Sequence, residues 1–322
     1  MINIVCSTDN NFVMPCGIML YSLCKNNRDT DINIYIIIDQ SVTEDNKRKL
    51  KDTTSIFSNC TCNFCLIDGN FFNSFPKLGE DTPKDYITKA TYYRIFLTKV
   101  LPENVEKCLY LDCDIIINSS LKPLWDIDIN DVALAATPDC GEGLIEKYNR
   151  LRYPQSKGYF NAGVLFVNLC YWRKHDALNR MLLFIKEHRD WIRLHDQDVL
   201  NRVFYEEKKY LPIRYNLQDG YLREYANYEI RKYKEDIQEA LQNPCIIHFT
   251  DFKPWWNSCE NPMAHFFHEY KKETTWSDVP LINKKEKGRT LKAFKHAFGC
   301  LLRDFKIVPE NNYEASPNKF KK

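Results

Sequence analysis

The sequence predicts an α/β protein built around a largely parallel sheet. Two observations carry this. Strand-length apolar runs alternate with helix-period segments through the first 120 residues, and acidic residues recur where those runs stop. Residues 2–7 form the first apolar run, and residues 13–26 follow at helical spacing, with Val13, Gly17, Leu20 and Cys24 on one face. Residues 32–38 are an Ile-rich second strand ending at Asp39. Thr43 then caps a polar helix over 43–57, with Asn46 three residues on. Residues 60–67 read as a third strand, 88–99 as a helix and 107–111 as a fourth strand. Further strands are expected at 132–137, 160–168 and 243–249, and helices at 172–189 and 196–205. In open α/β sheets ligands bind beyond the carboxyl ends of the strands, and Asp9, Asp39 and the pair Asp112/Asp114 all fall there.

Composition narrows the function. The 322 residues are 44% hydrophobic and contain no 18-residue apolar run, so a large core and no membrane-spanning helix are expected. The first residues lack the basic, apolar and small-residue segments of a signal peptide, which predicts a cytoplasmic protein. Thirteen cysteines, mostly inside apolar runs, read as buried thiols in a reducing compartment. Cys60, Cys62 and Cys65 alternate along a strand and lack a second Cys/His pair at zinc-finger spacing. Only ten glycines are present, and neither a G-x-G-x-x-G nor a Walker loop follows a strand. A phosphate would therefore have to be held by a metal ion and side chains.

The segment Tyr110-Leu111-Asp112-Cys113-Asp114 suggests how. On a strand, positions i and i+2 share a face, so two carboxylates would converge. Close carboxylates repel unless a cation joins them, and hard oxygen ligands favour Mg²⁺ or Mn²⁺.

Seven segments match, in order, the pattern of glycosyltransferase family 8. They are Ile4-Val5-Cys6-Ser7-Thr8-Asp9-Asn10-Asn11-Phe12, Thr91-Tyr92-Tyr93-Arg94, Tyr110-Leu111-Asp112-Cys113-Asp114, Leu121-Lys122-Pro123-Leu124-Trp125, Tyr159-Phe160-Asn161-Ala162-Gly163-Val164, His195-Asp196-Gln197-Asp198 and His248-Phe249-Thr250-Asp251-Phe252-Lys253-Pro254-Trp255. The chain thus resembles retaining transferases that include bacterial lipopolysaccharide galactosyl- and glucosyltransferases and glycogenin. The resemblance implies a GT-A fold, a Rossmann-like mixed sheet, over residues 1–257. It implies Mn²⁺, or alternatively Mg²⁺, held by Asp112, Asp114 and His248. The donor, UDP-glucose or UDP-galactose, would meet Ser7, Asp9, Asn11, Arg94, Asp112, Cys113, Asp114 and Lys253. A carboxylate at position 9 suits uracil or ribose donors, a guanidinium at 94 suits hydroxyls and phosphate, and Lys253 would neutralise the departing diphosphate.

The same resemblance places Asn161, Asp196 and Gln197 at the transferred sugar, with Gln197 facing the anomeric carbon. An amide is a poor nucleophile, which favours front-side return of the acceptor over a covalent glycosyl-enzyme. The acceptor would be a saccharide or lipid-linked saccharide, in lipopolysaccharide or other surface polysaccharide synthesis. Plainer roles are also open. Asp9 suits a turn, Asp196 an N-cap, and Gly163 a backbone bend in a strand. One departure stands out: the family usually has Gly three residues after the metal histidine, whereas Asp251 stands here and the loop to Lys253 is one residue shorter.

A phosphatase of the haloacid dehalogenase type also places Asp-x-Asp after a strand, but near its first strand and with Thr or Val where Ile116 stands. A catalytically weak UDP-sugar binder is the other alternative. On the sequence alone, alanine at Asp112, Asp114 or His248 should remove turnover and spare the melt of the metal-free protein.

The far C-terminal stretch differs in character. Residues 283–322 hold eleven Lys or Arg against four Asp or Glu, leaving a mildly acidic body. Leu291, Phe294, Phe298, Leu301, Leu302 and Phe305 recur at helical spacing, with Lys292, Lys295, His296, Arg303 and Lys306 between them. This predicts a basic amphipathic helix in a 258–322 region that docks on an anionic membrane surface, while residues 308–322 look disordered. No nucleic-acid partner is expected, and the oligomeric state is left open.

Overall fold

The computed structural model describes residues 1–68, 72, 75, 89–222 and 232–283. The first four strands form as β1 (Ile2–Thr8), β2 (Ile32–Ile38), β3 (Cys60–Leu66) and β4 (Lys107–Leu111). They are followed by β5 (Ile115–Ile117), β6 (Leu134–Pro138), β7 (Phe160–Asn168), β8 (Lys208–Tyr210), β9 (Leu217–Gln218) and β10 (Ile246–His248). Seven strands make one sheet in the order β3-β2-β1-β4-β7-β6-β8. Its first four neighbours are parallel, but β7 runs antiparallel to both β4 and β6, so the sheet is mixed. A small second sheet has the order β5-β10-β9.

Both faces of the large sheet are covered. Ile4, Cys6, Leu109 and Phe166 pack on one side, and Val5, Tyr110, Leu165 and Val167 on the other, as the two-residue period requires. Cys60 and Cys62 join the first layer and Cys65 the second, and the described cysteines are all reduced thiols. The helix Glu44–Ser55 is capped as expected, with Thr43 Oγ1 accepting from Asn46 N at 3.3 Å.

Some elements differ from expectation. The helix expected at 88–99 is a 3₁₀ segment, Lys89–Phe96, with one α-turn, Leu97–Val100. The helix expected at 172–189 is two, Leu169–Lys174 and Ala177–Glu187, parted at Asp176, whose φ of 50° is left-handed. The chain beyond residue 258 returns to the first helix, Val13–Lys25. Tyr21 donates to Glu273 at 2.8 Å, Asn26 Nδ2 to Tyr270 OH at 2.7 Å, and the Trp276 ring lies over Gly17, where no Cβ would fit. The helix expected at 291–305 and the tail at 308–322 lie outside the described residues. Among the described residues, no helix is long and apolar enough to cross a membrane.

Candidate active site and cation site

The Asp112-Cys113-Asp114 segment is not strand but the joint between the two sheets. β4 ends at Leu111 and β5 begins at Ile115. The carboxylates therefore converge through a turn, not through the shared face of a strand. Two hydrogen bonds hold the joint: Asp112 N to Gly163 O at 2.8 Å, and Phe249 N to Asp114 O at 2.9 Å. β10 pairs antiparallel with β5, which sets His248 opposite Ile115, next to Asp114. Sheet register thus closes a gap of more than a hundred residues. Asp112, Asp114 and His248 each offer a ligand atom, all within 4.8 Å of one another, and His248 Nε2 lies 3.2 Å from Asp114 Oδ1. Two carboxylate oxygens and one imidazole nitrogen are a donor set that fits Mn²⁺ or Mg²⁺.

Two cationic side chains share the site. Arg94, 5% exposed, reaches Asp112 Oδ1 at 2.8 Å and Asp196 Oδ2 at 2.8 Å, donates to Ala162 O, and lies 4.5 Å from the Tyr110 ring centre. It is a buried clamp between the two carboxylates. Lys253, 1% exposed, donates to Asp114 Oδ2 at 2.5 Å, to Phe249 O at 2.5 Å and to Thr250 O at 3.3 Å. The two carboxyls respond in opposite directions. Burial, with Asp114 and Asp196 nearby, raises Asp112 despite Arg94. Burial also opposes ionisation of Asp114, but the Lys253 ammonium prevails and holds it well below the usual carboxylate range. Burial raises Asp196 against the pull of Arg94.

On the other side of the joint lies an amide cluster. Gln197 Oε1 accepts from Ala162 N at 2.9 Å, and its Nε2 donates to Asp139 Oδ2 at 3.1 Å. Asn161 Oδ1 accepts from Gly163 N at 3.0 Å, and its Nδ2 donates to Asp139 Oδ2 at 3.3 Å. Lys147 neutralises Asp139 at 2.8 Å and, after burial's opposite effect, holds its carboxyl below the usual value. Asn161 is the second residue of β7 and Asp139 follows β6, so the Pro138–Phe160 pairing of the two strands brings them together. Asp196 does not cap its helix. Asp198 takes the upstream amides instead, accepting from Arg193 N at 2.8 Å and Leu194 N at 2.6 Å.

Ser7, Thr8, Asp9, Phe12, Ala90, Thr91, Arg94, Asp112, Cys113 and Asp114 line one cleft that opens to solvent. Asp9 closes the turn after β1, its Oδ1 accepting from Asn11 N at 2.9 Å and Phe12 N at 3.2 Å. Ser7 Oγ is 2.5 Å from Tyr110 OH, and Cys113 Sγ donates to Ser7 O at 3.2 Å. Asn11 lies on the exposed turn and does not line the cleft.

Three residues that the sequence reading does not single out complete the arrangement. Asp139 joins the two amides. Asn216, fully buried, bridges His248 Nδ1 at 2.8 Å and Asn161 Oδ1 at 2.9 Å. Asp219 Oδ2 accepts from Asp251 N at 3.0 Å and Phe252 N at 2.9 Å. The backbone amides at 251 and 252, in the loop where the family pattern has glycine, are thus held by a carboxylate.

The sequence profile of glycosyl transferase family 8 matches residues 3–259. General stress protein A of Bacillus subtilis is 30% identical over 87% of this chain and 97% of its own length. Lipopolysaccharide glucosyltransferase WaaO of Escherichia coli is 27% identical over 92% of this chain and 85% of its own. The crystal structure of galactosyltransferase LgtC in complex with donor and acceptor sugar analogues superposes with a TM-score of 0.74. That match is 25% identical and covers 90% of this chain and 99% of that one.

Proposed function

Because this chain belongs to glycosyl transferase family 8, we propose that it moves glucose or galactose from a UDP-sugar to a saccharide or lipid-linked saccharide, retaining anomeric configuration, in surface polysaccharide synthesis. The observation that carries this reading is the convergence of Asp112, Asp114 and His248 beside a cleft at the carboxyl ends of β1 and β4. The chemistry a bound Mn²⁺ or Mg²⁺ supplies is charge neutralisation of the diphosphate as UDP departs. Ser7, Asp9 and Asn11 meet the nucleoside end of the donor, and Cys113 lines its path. Arg94 orients Asp112 and Asp196 by ion pairs, leaving Asp196 to bind sugar hydroxyls. Lys253 balances Asp114 in the free protein and adds positive charge where the leaving group develops. Gln197 and Asn161, each tied at both ends of its amide, sit as fixed dipoles on the sugar side. A tethered amide does not form a covalent intermediate, so the acceptor hydroxyl enters on the face that UDP leaves.

Incubating the protein with UDP-glucose or UDP-galactose should release UDP with Mn²⁺ and none with EDTA. Phosphate release from small phosphomonoesters would instead support a phosphatase, and donor binding without UDP in any arm would reduce the chain to a UDP-sugar binder. Residues 1–257 are the catalytic unit in this reading. The 258–322 region carries the basic segment that docks on the inner membrane face of the cytoplasm. Ending the chain at residue 283 should leave UDP release unchanged and abolish binding to vesicles rich in anionic lipid; equal binding by both forms would refute the docking role.

A further inference from the structure

The hydrogen bonds that run from β7 to the metal histidine have a fixed polarity. The Gly163 backbone N–H can only donate, so the Asn161 side-chain atom 3.0 Å from it is the carbonyl oxygen. Asn216 meets that same oxygen at 2.9 Å and must present its NH₂ group there. Its own oxygen then turns to His248 Nδ1, 2.8 Å away, and that nitrogen carries the proton. In the neutral imidazole the lone pair is left on Nε2, the atom 3.2 Å from Asp114 Oδ1. A lone pair facing a carboxylate oxygen is an arrangement that a cation between them stabilises. The chain of bonds also continues the other way, through Asn161 to Asp139 and from there to Gln197.

We propose that Asn216 is a positioning residue with two duties. It fixes His248 in the Nδ1–H tautomer and so aims Nε2 at the cation. It also links the cation site to the Asn161 and Gln197 amides, so that binding a cation orders the sugar side. The inference rests on the cation reading above and adds a residue to it. Local structure suits both duties. Asn216 immediately precedes β9, whose Gln218 pairs with His248 in parallel register, and its side chain is wholly buried. A buried amide with both ends engaged has one low-energy orientation, which is what an orienting group requires.

Mn²⁺ titration of the donor-free protein, followed by electron paramagnetic resonance, tests this without relying on turnover. Asn216→Ala should weaken Mn²⁺ about 10- to 100-fold, the usual cost of losing a partner that orients a metal ligand. Asn216→Asp keeps an acceptor for His248 Nδ1–H but loses the donor to Asn161. It should hold Mn²⁺ at least as tightly as the natural protein, while UDP release at saturating Mn²⁺ falls at least tenfold. Leu217→Ala, a neighbouring core truncation, should lower the melt and leave Mn²⁺ affinity unchanged. Wild-type Mn²⁺ affinity in Asn216→Ala, or equal weakening in Leu217→Ala, would overturn the positioning role. Wild-type turnover in Asn216→Asp would overturn the link to the amides. Failure of the natural protein to bind Mn²⁺ at all would overturn the cation reading itself, an outcome distinct from the others.

Discussion

Asp114→Asn should cut metal-dependent UDP release by about a hundred- to a thousandfold, a loss of roughly 3–4 kcal/mol in transition-state stabilisation. The substitution removes one anionic ligand while keeping shape and an oxygen for the Lys253 ammonium, now 2.5 Å from Asp114 Oδ2. Asp114→Ala is a different experiment. It leaves Lys253, 1% exposed, with no counter-charge at the Asp114 position. Breaking a buried pair by removing one partner costs about 3–5 kcal/mol. The expectation from sequence, that alanine would spare the melt, therefore fails on this geometry at position 114, because Asp114 is a structural ion-pair partner as well as a proposed ligand. The double variant Asp114→Ala/Lys253→Met separates the two roles. Its melt should recover most of what Asp114→Ala loses, and its UDP release should stay as low as that of Asp114→Asn. Turnover by Asp114→Asn within fivefold of the natural protein, with Mn²⁺ saturating, would remove this carboxylate from the reaction.

The legible parts of the site lie where local sequence decides local structure. β1 to β4 are apolar runs bounded by polar residues, and the acidic residues at their ends follow from the geometry of parallel sheets. The same rule applies to Asp139, which follows β6 just as Asp9 follows β1, so its position is legible by that rule. β5, β8 and β9 are two or three residues long, too short to show alternation. Without β5, the apolar run through residue 117 looks like one strand and the Asp pair looks like part of it. Asn216 and Asp219 leave no local mark. Their partners, His248 and the amides of Asp251 and Phe252, are reached only through the pairing of β9 with β10. The loop at Asp251, the departure from the family pattern, is not open: the carboxylate of Asp219 holds the backbone amides of Asp251 and Phe252.

Gly163→Ala should inactivate the protein for a reason that lies in packing, not in a bend of the strand. A Cβ at this position would strike His248 Cε1 and come 2.8 Å from His248 Nδ1 and 3.0 Å from Asp112 Oδ2. None of these groups can withdraw freely. His248 is held by Asn216, by Asp114 and by its place in β10, and Asp112 by Arg94 and by the bond from its own N–H to Gly163 O. Overpacking of this kind costs about 1–3 kcal/mol of stability. A displacement near 1 Å at a reacting centre costs about a hundredfold in rate. Gly17→Ala supplies the comparison, because its Cβ would strike the Trp276 ring, on a helix that carries none of the site. Both variants should melt at lower temperature. Below their melts, Gly17→Ala should keep the natural Mn²⁺ affinity and UDP release per folded molecule, and Gly163→Ala should lose both. Natural Mn²⁺ affinity in folded Gly163→Ala would mean that the imidazole and the Asp112 carboxylate do not meet at one ion, since the added methyl group would stand between them.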